Sequence, residues 1–559
     1  MKKMSKPLAL LLAGMMVFGT ACGSSNSTDS AGAAEATEST AADGTVATDT
    51  SVVIGQSSEV ANLNPLIQPR TPDSNVQNMI FSYLVVPNEE LNYEGDLADS
   101  WDISDDGTVY TFHLKEGVKW HDGEDFTADD VVFTLTSLAD PNYNGGGRVM
   151  SIAGAADYQA GNADSVSGIK KVDDYTVEIT LESANAAFLS NMYTCILPKH
   201  ILEGEDPGEW GNDDFNRAPI GTGKYKFVEW KSGQYITLER NDDYYGTKPS
   251  IQNVTVQFGD DTTLTAALLN GEIDVLYNLP SAEVENVEAM DGVSDYKYEQ
   301  LTVTYIGLNQ LTESLSDLRV RQALAYGIDK QAIINTVYGD GNAYVCDDVF
   351  PSNHWSHSDN VTVYDYDPAK SKELLEEAGY TMNDATGYYE KDGKTLHLTY
   401  DMSTSTDGKA VAALIQQQWK AIGVEMEVIE QDFATLAYTK LLPGEATEET
   451  TGDSFQCYTL GFGVEADPNE YNEYFSTSTG AGSWNFIHYS NPEVDQLLLT
   501  DPDERAECFH KIADLISKDL PWIPLYNKAG IAGVSDKVQN FVCDYRGITF
   551  QIEKWNIAE

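Results

Sequence analysis

Residues 97–135 read LADSWDISDDGTVYTFHLKEGVKWHDGEDFTADDVVFTL. Two patterns share the stretch. From Thr108 to Trp120 apolar and polar residues alternate, with Tyr110, Phe112 and Leu114 on one face and Thr111, His113 and Lys115 on the other. A period of two is that of a half-buried strand, and Glu116–Gly117 reads as the turn of a hairpin. The pattern then changes. Asp122–Gly123 is a turn dipeptide. Thr127 lies three residues before Asp130, just ahead of the apolar run Val131–Phe133. That is close to a capping box, with Asp in place of Glu or Gln. Asp129 and Asp130 then fall in a first helical turn, where negative charge suits the helix dipole. His121, with Asp122, Glu124, Asp129 and Asp130 around it, also invites a metal or catalytic reading. A metal site, however, needs ligands converging from fixed spacings, such as His–x3–His. Each acidic residue here already has a structural task, so the stretch reads as scaffold.

The same alternation recurs outward from this stretch. DDYTVEITLE (173–182) is a strand, and GKYKFVEWKSGQYITLERN (223–241) is a hairpin turning at Ser232–Gly233. VTVQFG (254–259) and IDVLYNL (273–279) add strands around a short helix, TTLTAALLNGE (262–272). Past residue 300 helical spacing dominates. SDLRVRQALAYGID (316–329) carries Val320, Ala323, Leu324 and Ile328 on one face, capped by Ser316 or Asp317. DKQAIINTVYG (329–339), DPAKSKELLEEAGY (367–380), DGKAVAALIQQQWKAIG (407–423) and NPEVDQLLL (491–499) follow the same rule. Strand-like HLTYDMS, VEMEVIEQ and FQCYTLGFG lie between them, which suggests an α/β lobe. PWIPLYNKAGIAGV (521–534) and VCDYRGITF (542–550) return to strand-like segments.

At 559 residues the chain is too long for one core, and two or three lobes are expected. A net charge of −55 repels phosphate backbones, so nucleic acid is not an expected partner. Lys2, Lys3 and Lys6 precede an apolar run (7–19) too short for a comfortable membrane span, which reads as a secretory signal. Cys22 follows Gly19, Thr20 and Ala21 and resembles a bacterial lipoprotein cleavage site. Gly19 departs from it, because a larger aliphatic is usual there; plain secretion, with cleavage near Ala21, is the alternative. Residues 1–22 are read as the signal peptide. Residues 23–50 have too little apolar surface to offset the entropy of ordering and are read as a tether. Five further cysteines, Cys195, Cys346, Cys457, Cys508 and Cys543, contain no C-x-x-C pair; buried thiols are a fair reading.

Signals for catalysis are weak. P-loop, H-E-x-x-H and G-x-S-x-G patterns are absent. Ser167–Lys170 matches S-x-x-K and Ser358–Asn360 reads SDN, but the K-T-G of a serine β-lactamase is missing and the order of elements is wrong. The histidine pair of HWSH, His354 and His357, is read as a surface loop rather than a weak metal site. No metal, cofactor or catalytic residue is expected.

Residues 97–135 resemble the signature of the extracellular solute-binding proteins of peptide-type ABC transporters, solute-binding family 5, which include oligopeptide- and dipeptide-binding proteins. The resemblance recurs in GTGKYKFVEW (221–230), ITLERNDDYYGTKP (236–249), LLNGEIDVLY (268–277), LSDLRVRQALAYGIDKQAII (315–334), YDPAKSKELLEEAGY (366–380), QQQWKAIGVEMEV (416–428), WNFIHYSNPEVDQLL (484–498) and DLPWIPLYN (519–527). It spans residues 51–559. Lys224 stands where the family usually has Pro.

The resemblance implies an α/β fold: a two-lobed periplasmic-binding-protein clamshell in three domains with two hinge crossovers. Lobe 1 would comprise 51–92, 211–304 and 516–559, an extra domain on it 93–210, and lobe 2 305–515. It further implies a monomer, lipid-anchored through Cys22 on the outer face of the cytoplasmic membrane, that delivers ligand to permease subunits coupled to cytoplasmic ATPases. In peptide-binding relatives an extended peptide pairs its backbone with a segment of each lobe. Those segments would fall near Gln68, Arg70 and Thr71, and at Phe462–Asp467. Glu465 falls nearest the position that holds a ligand's α-ammonium, with Asp467 beside it as the alternative. Phe462 and Gly463 would wall the site, Arg70 would meet a ligand carboxylate, and Trp484 and Asn485 are further candidates. The same scaffold could instead bind an oligosaccharide or a metal chelate. A secreted hydrolase on this fold is the third reading.

Overall fold

The computed structural model describes residues 50–67, 70–143, 147–441, 455–477, 484–498 and 504–558. The expected signal peptide, Cys22, Gln68 and all of the tether but Thr50 lie outside them.

The alternation near residue 110 becomes the strand Val109–Leu114, with Tyr110, Phe112 and Leu114 buried. Its partners are Ala98–Ile103 and Thr176–Thr180, and Ile169–Asp173 completes a four-stranded antiparallel sheet. The expected hairpin at Glu116–Gly117 is corrected to a turn, with Gly117 at φ +76°. Asp122–Gly123 reverses the chain so soon that Lys119 and Asp125 form one isolated bridge, while Trp120 and Phe126 sink into the core. The helix Ala128–Leu138 then starts as the spacing predicts. Asp129 N–H donates to Thr127 Oγ1 at 3.3 Å, and Thr127 N–H donates to Asp130 Oδ2 at 2.9 Å. The His121 ring accepts from Gly221 N–H at 3.3 Å and donates to the Gly223 carbonyl at 3.1 Å. Burial pushes its pKa down to about 4, which keeps it neutral. His121 thus fastens two segments together.

A mixed sheet, twelve-stranded among the described residues, runs through the molecule. Its order is Glu425–Gln431, His397–Ser403, Cys457–Gly463, Thr302–Leu308, Trp522–Ser535, Val275–Leu276, Ser51–Gln56, Asn253–Phe258, Tyr235–Arg240 and Tyr225–Lys231. Val293–Glu299 and Ala343–Val345 also pair with Trp522–Ser535. That long strand joins the two lobes of the clamshell. Residues 522–526 pair with Thr304–Gly307, and 529–535 pair with Val293–Glu299. The chain therefore crosses between lobes twice, at 300–301 and at 527–528. Helices Leu318–Tyr326, Lys330–Val337, Pro368–Glu377 and Thr406–Ala421 pack over the second lobe's strands around Tyr400 and Trp419. Asp317, Asp329 and Asp367 cap the first three through side-chain bonds to backbone N–H groups, and Ser405 caps the fourth.

The hairpin at 223–241 forms as read, with Gly233 at φ +71°. Lys224 donates to the Phe550 carbonyl and to Glu553, each at 2.6 Å, and ties the hairpin to the C-terminal segment. Two strand expectations are corrected. IDVLYNL contributes only Val275–Leu276, and 542–550 is a chain of turns with one bridge, Asp544 to Gly547, because Gly547 at φ +122° breaks the extended run. The HWSH loop is also corrected: His354 and Ser356 are buried. Ser167 bonds the Ala153 carbonyl and Lys170 pairs with Glu178, so the β-lactamase-like match has ordinary structural partners. Cys195, Cys346, Cys457, Cys508 and Cys543 are buried thiols.

Candidate functional site

A cavity of about 720 Å³ lies between the lobes, in front of the crossing at 300–302. One wall is the helix Thr71–Ile80. It begins where Arg70 N–H donates to Asp73 Oδ2 at 2.9 Å, with Pro72 in the first turn. Thr71, Ser74, Asn75, Gln77 and Asn78 line the cavity from it. Their amides are held in place. Asn75 donates to Gln56 Oε1 at 3.1 Å, and Asn78 donates to the Arg546 carbonyl at 3.2 Å. Tyr83 O–H donates to Asn78 Oδ1 at 2.5 Å, and its ring stacks on Tyr193 at 4.5 Å between centroids. Tyr143, Tyr277, Tyr298 and Tyr545 complete a set of six tyrosines among the described lining residues.

The opposite wall is Gly463–Ala466, which continues the strand Cys457–Gly463. Val464 N–H still bonds the Leu301 carbonyl at 2.6 Å. Beyond it the ladder ends. The Glu465 carbonyl accepts from His354 Nε2 at 3.0 Å, and the Ala466 carbonyl accepts from Trp355 Nε1 at 2.8 Å. His354 Nδ1 in turn accepts from Ser356 N–H at 3.1 Å, and burial lowers the imidazole pKa to about 4. The neutral ring can therefore serve as both donor and acceptor.

Three charged side chains line the cavity among the described residues: Arg148, Glu465 and Arg546. Arg546 is bound by Asp544 through its guanidinium, with Nε–Oδ1 at 3.0 Å, and also donates to the Pro87 carbonyl at 2.9 Å. Arg148 reaches from the first lobe's side to Glu465 Oε1 at 3.4 Å and to the Tyr193 carbonyl at 3.4 Å.

Of the residues singled out in the sequence, Thr71, Gly463 and Glu465 face this cavity. Arg70 does not line it. Its guanidinium is held away from it, donating to Asp73 at 3.0 and 3.1 Å and to the Glu59 carbonyl at 2.8 Å. Phe462 packs behind the wall, edge-on to Tyr471, Tyr474 and Trp522. Asp467 pairs with Arg505 at 2.6 Å, both side chains being nearly buried at 12% and 14% exposure. Burial raises the Asp467 pKa, and Arg505 opposes the rise. Asn485 accepts from Tyr489 N–H at 3.0 Å and donates to its carbonyl at 2.8 Å, fixing a turn. Trp484 packs on Phe486 and Tyr474. Sequence reasoning missed Arg148, Arg546, the tyrosine lining and the buttress His354–Trp355. Only the last left a signal, the dense HWSH cluster.

The family model for bacterial extracellular solute-binding proteins, family 5 Middle, matches residues 92–483. The chain is similar to the oligopeptide-binding protein AppA of Bacillus subtilis (strain 168), 30% identical over 522 residues, covering 91% of this chain and 92% of that one. It is likewise 30% identical over 468 residues to heme-binding protein A of Haemophilus influenzae, covering 80% and 81%. The structure of AppA from Bacillus subtilis in complex with a nonapeptide matches at a TM-score of 0.73 and 29% identity, over 91% of this chain and 99% of that one.

Proposed function

This chain belongs to the bacterial extracellular solute-binding proteins of family 5, and from that premise we propose that it captures short peptides outside the cell and delivers them to an ABC importer permease. One observation carries the reading: Glu465 faces a cavity between lobes that side-chain amides and tyrosines line along with it. A carboxylate held there suits a ligand α-ammonium, because the bond is charge-assisted and shielded as the lobes close. The amides suit a peptide backbone, and the tyrosine rings suit varied side chains. Asp467 is a poorer anchor, since Arg505 already occupies it. Arg70, Phe462, Trp484 and Asn485 support the walls from behind.

The three-domain division given above is part of the proposal; the two crossings support its two lobes, but they lie at 300–301 and 527–528 rather than at its bounds of 304/305 and 515/516. Lipid attachment at Cys22, the tether and a monomeric state complete the proposal. A non-peptide solute is the second reading, favoured by the likeness to heme-binding protein A. Among the described lining residues there is one thiol, Cys195, and burial pushes its pKa up to about 12, which disfavours it as the nucleophile that the hydrolase reading would want.

The test is mass spectrometry of small molecules released on denaturing the gently purified protein. Short peptides with free N-termini are expected; a sugar, haem or metal chelate without peptides would overturn the peptide reading. Glu465→Gln is expected to weaken binding of a free-amine peptide by at least about tenfold, and to leave little difference between it and its N-acetylated form.

A further inference from the structure

We infer that Arg148 makes this site select peptides carrying a carboxylate close to their free amino terminus: Asp or Glu at the first or second position, or a dipeptide's own C-terminus. The inference rests on Glu465 as the amine anchor. Arg148 and Glu465 lie 317 residues apart in sequence and on opposite sides of the cavity, yet their charged groups approach to 3.4 Å. The side chains are 44% and 48% exposed, so solvent screens the pair and the bond is weak. An incoming ammonium can therefore take Arg148's place at Glu465.

Closure then changes the balance. Water leaves, and a cation without a counter-charge becomes costly in the shielded cavity. Arg546 adds no excess, because Asp544 neutralises it. Among the described lining residues, Arg148 plus a ligand ammonium against Glu465 leaves one positive charge over. A ligand carboxylate removes the excess, and a bidentate guanidinium pair gives it a defined seat. Because the guanidinium sits beside Glu465, that carboxylate must lie near the ammonium. An extended chain advances about 3.3 Å per residue, so the C-terminus of a longer peptide is out of reach. A side chain at position one or two, or a dipeptide terminus, is within it.

Calorimetric titration with Ala-Ala-Ala, Asp-Ala-Ala, Ala-Asp-Ala, Lys-Ala-Ala and N-acetyl-Asp-Ala-Ala tests this. The full chain is expected to bind the two aspartyl peptides about tenfold tighter than Ala-Ala-Ala, and Lys-Ala-Ala more weakly still. In Arg148→Met the ratio between aspartyl and alanyl peptides should fall to about one; in Arg148→Lys part of it should remain. Equal binding of aspartyl and alanyl peptides by the unmutated protein overturns the inference and leaves the peptide reading intact, as does a ratio that survives Arg148→Met. Equal binding of the N-acetylated peptide removes the amine anchor and this inference with it. Binding of none of the peptides overturns the peptide reading itself. Should Arg148→Met fail to fold, the unmutated panel and Arg148→Lys still decide.

Discussion

At the residue scale, the wall that carries Glu465 depends on partners distant in sequence. His354 and Trp355 fix its carbonyls, and Arg505 fixes Asp467. In the sequence GFGVEADPNEY, Glu465 falls nearest the anchoring position and Asp467 stands beside it as the alternative. Glu465 remains the proposed anchor because Arg505, at the start of the helix Arg505–Asp519, pairs with Asp467, a partner that no local pattern announces. Removing one member of a nearly buried ion pair strands the other, so Arg505→Met should destabilise the protein by about 3–5 kcal/mol in chemical unfolding. Asp467→Asn and Arg505→Met together should cost less than Arg505→Met alone. His354 gives a pH signature. Its folded pKa, about 4, lies below its ordinary value of 6.5. As pH falls the unfolded chain takes up the proton first. The contribution to stability is therefore full above about pH 6.5 and is lost as pH falls toward 4. The loss is on the order of 3 kcal/mol at 1.36 kcal/mol per pKa unit. Unfolding free energies measured at pH 7 and pH 4.5 should diverge less in His354→Gln than in the unmutated chain. Equal pH dependence in the two would remove His354 as the titrating group.

At the element scale, signals spaced by three or four residues were legible and longer ones were not. The capping box at Thr127 and Asp130, the caps at Asp317, Asp329 and Asp367, and the turn at Gly233 each follow from neighbours in the chain. The supposed hairpin at Glu116–Gly117 failed because the partners of Val109–Leu114 are Ala98–Ile103, which precedes it, and Thr176–Thr180, more than sixty residues on. HWSH looked like a surface loop because its covering segment, 465–466, lies over a hundred residues away. The capping box separates a local bond from a tertiary one. Thr127→Ala loses a cap and should cost about 1 kcal/mol. Asp130 is buried and also accepts from Lys199 N–H at 3.0 Å. Asp130→Ala therefore leaves two donors unmatched and should cost about 3 kcal/mol. Urea unfolding of the two variants measures the difference, and equal losses would mean that the Lys199 bond contributes nothing.

At the scale of the whole molecule, the clamshell was legible only through family resemblance. PWIPLYNKAGIAGV read as a strand, but alternation along one strand cannot reveal that its two ends serve different lobes. The crossing at 300–302 lies between the front cavity and a rear groove of about 730 Å³, with Gln300 on both. Bending that narrows the front must widen the rear. Asn527 sits on the second crossing and ties it to the first. Its amide donates to the Gln300 carbonyl at 2.9 Å and accepts from Thr302 Oγ1 at 3.1 Å. The two crossovers thus bend as one unit, which narrows the range of lobe angles open to the unliganded chain. Asn527→Ala removes both bonds and should lower stability by about 2 kcal/mol. It should also spread the lobe angles, so the fraction of molecules ready to close falls and apparent affinity weakens in proportion, about threefold to tenfold. Small-angle scattering of the ligand-free variant should give a larger radius of gyration, and saturating ligand should restore that of the unmutated protein. A variant that loses stability while keeping radius and affinity would confine Asn527 to packing and move control of the lobe angle elsewhere on the crossings.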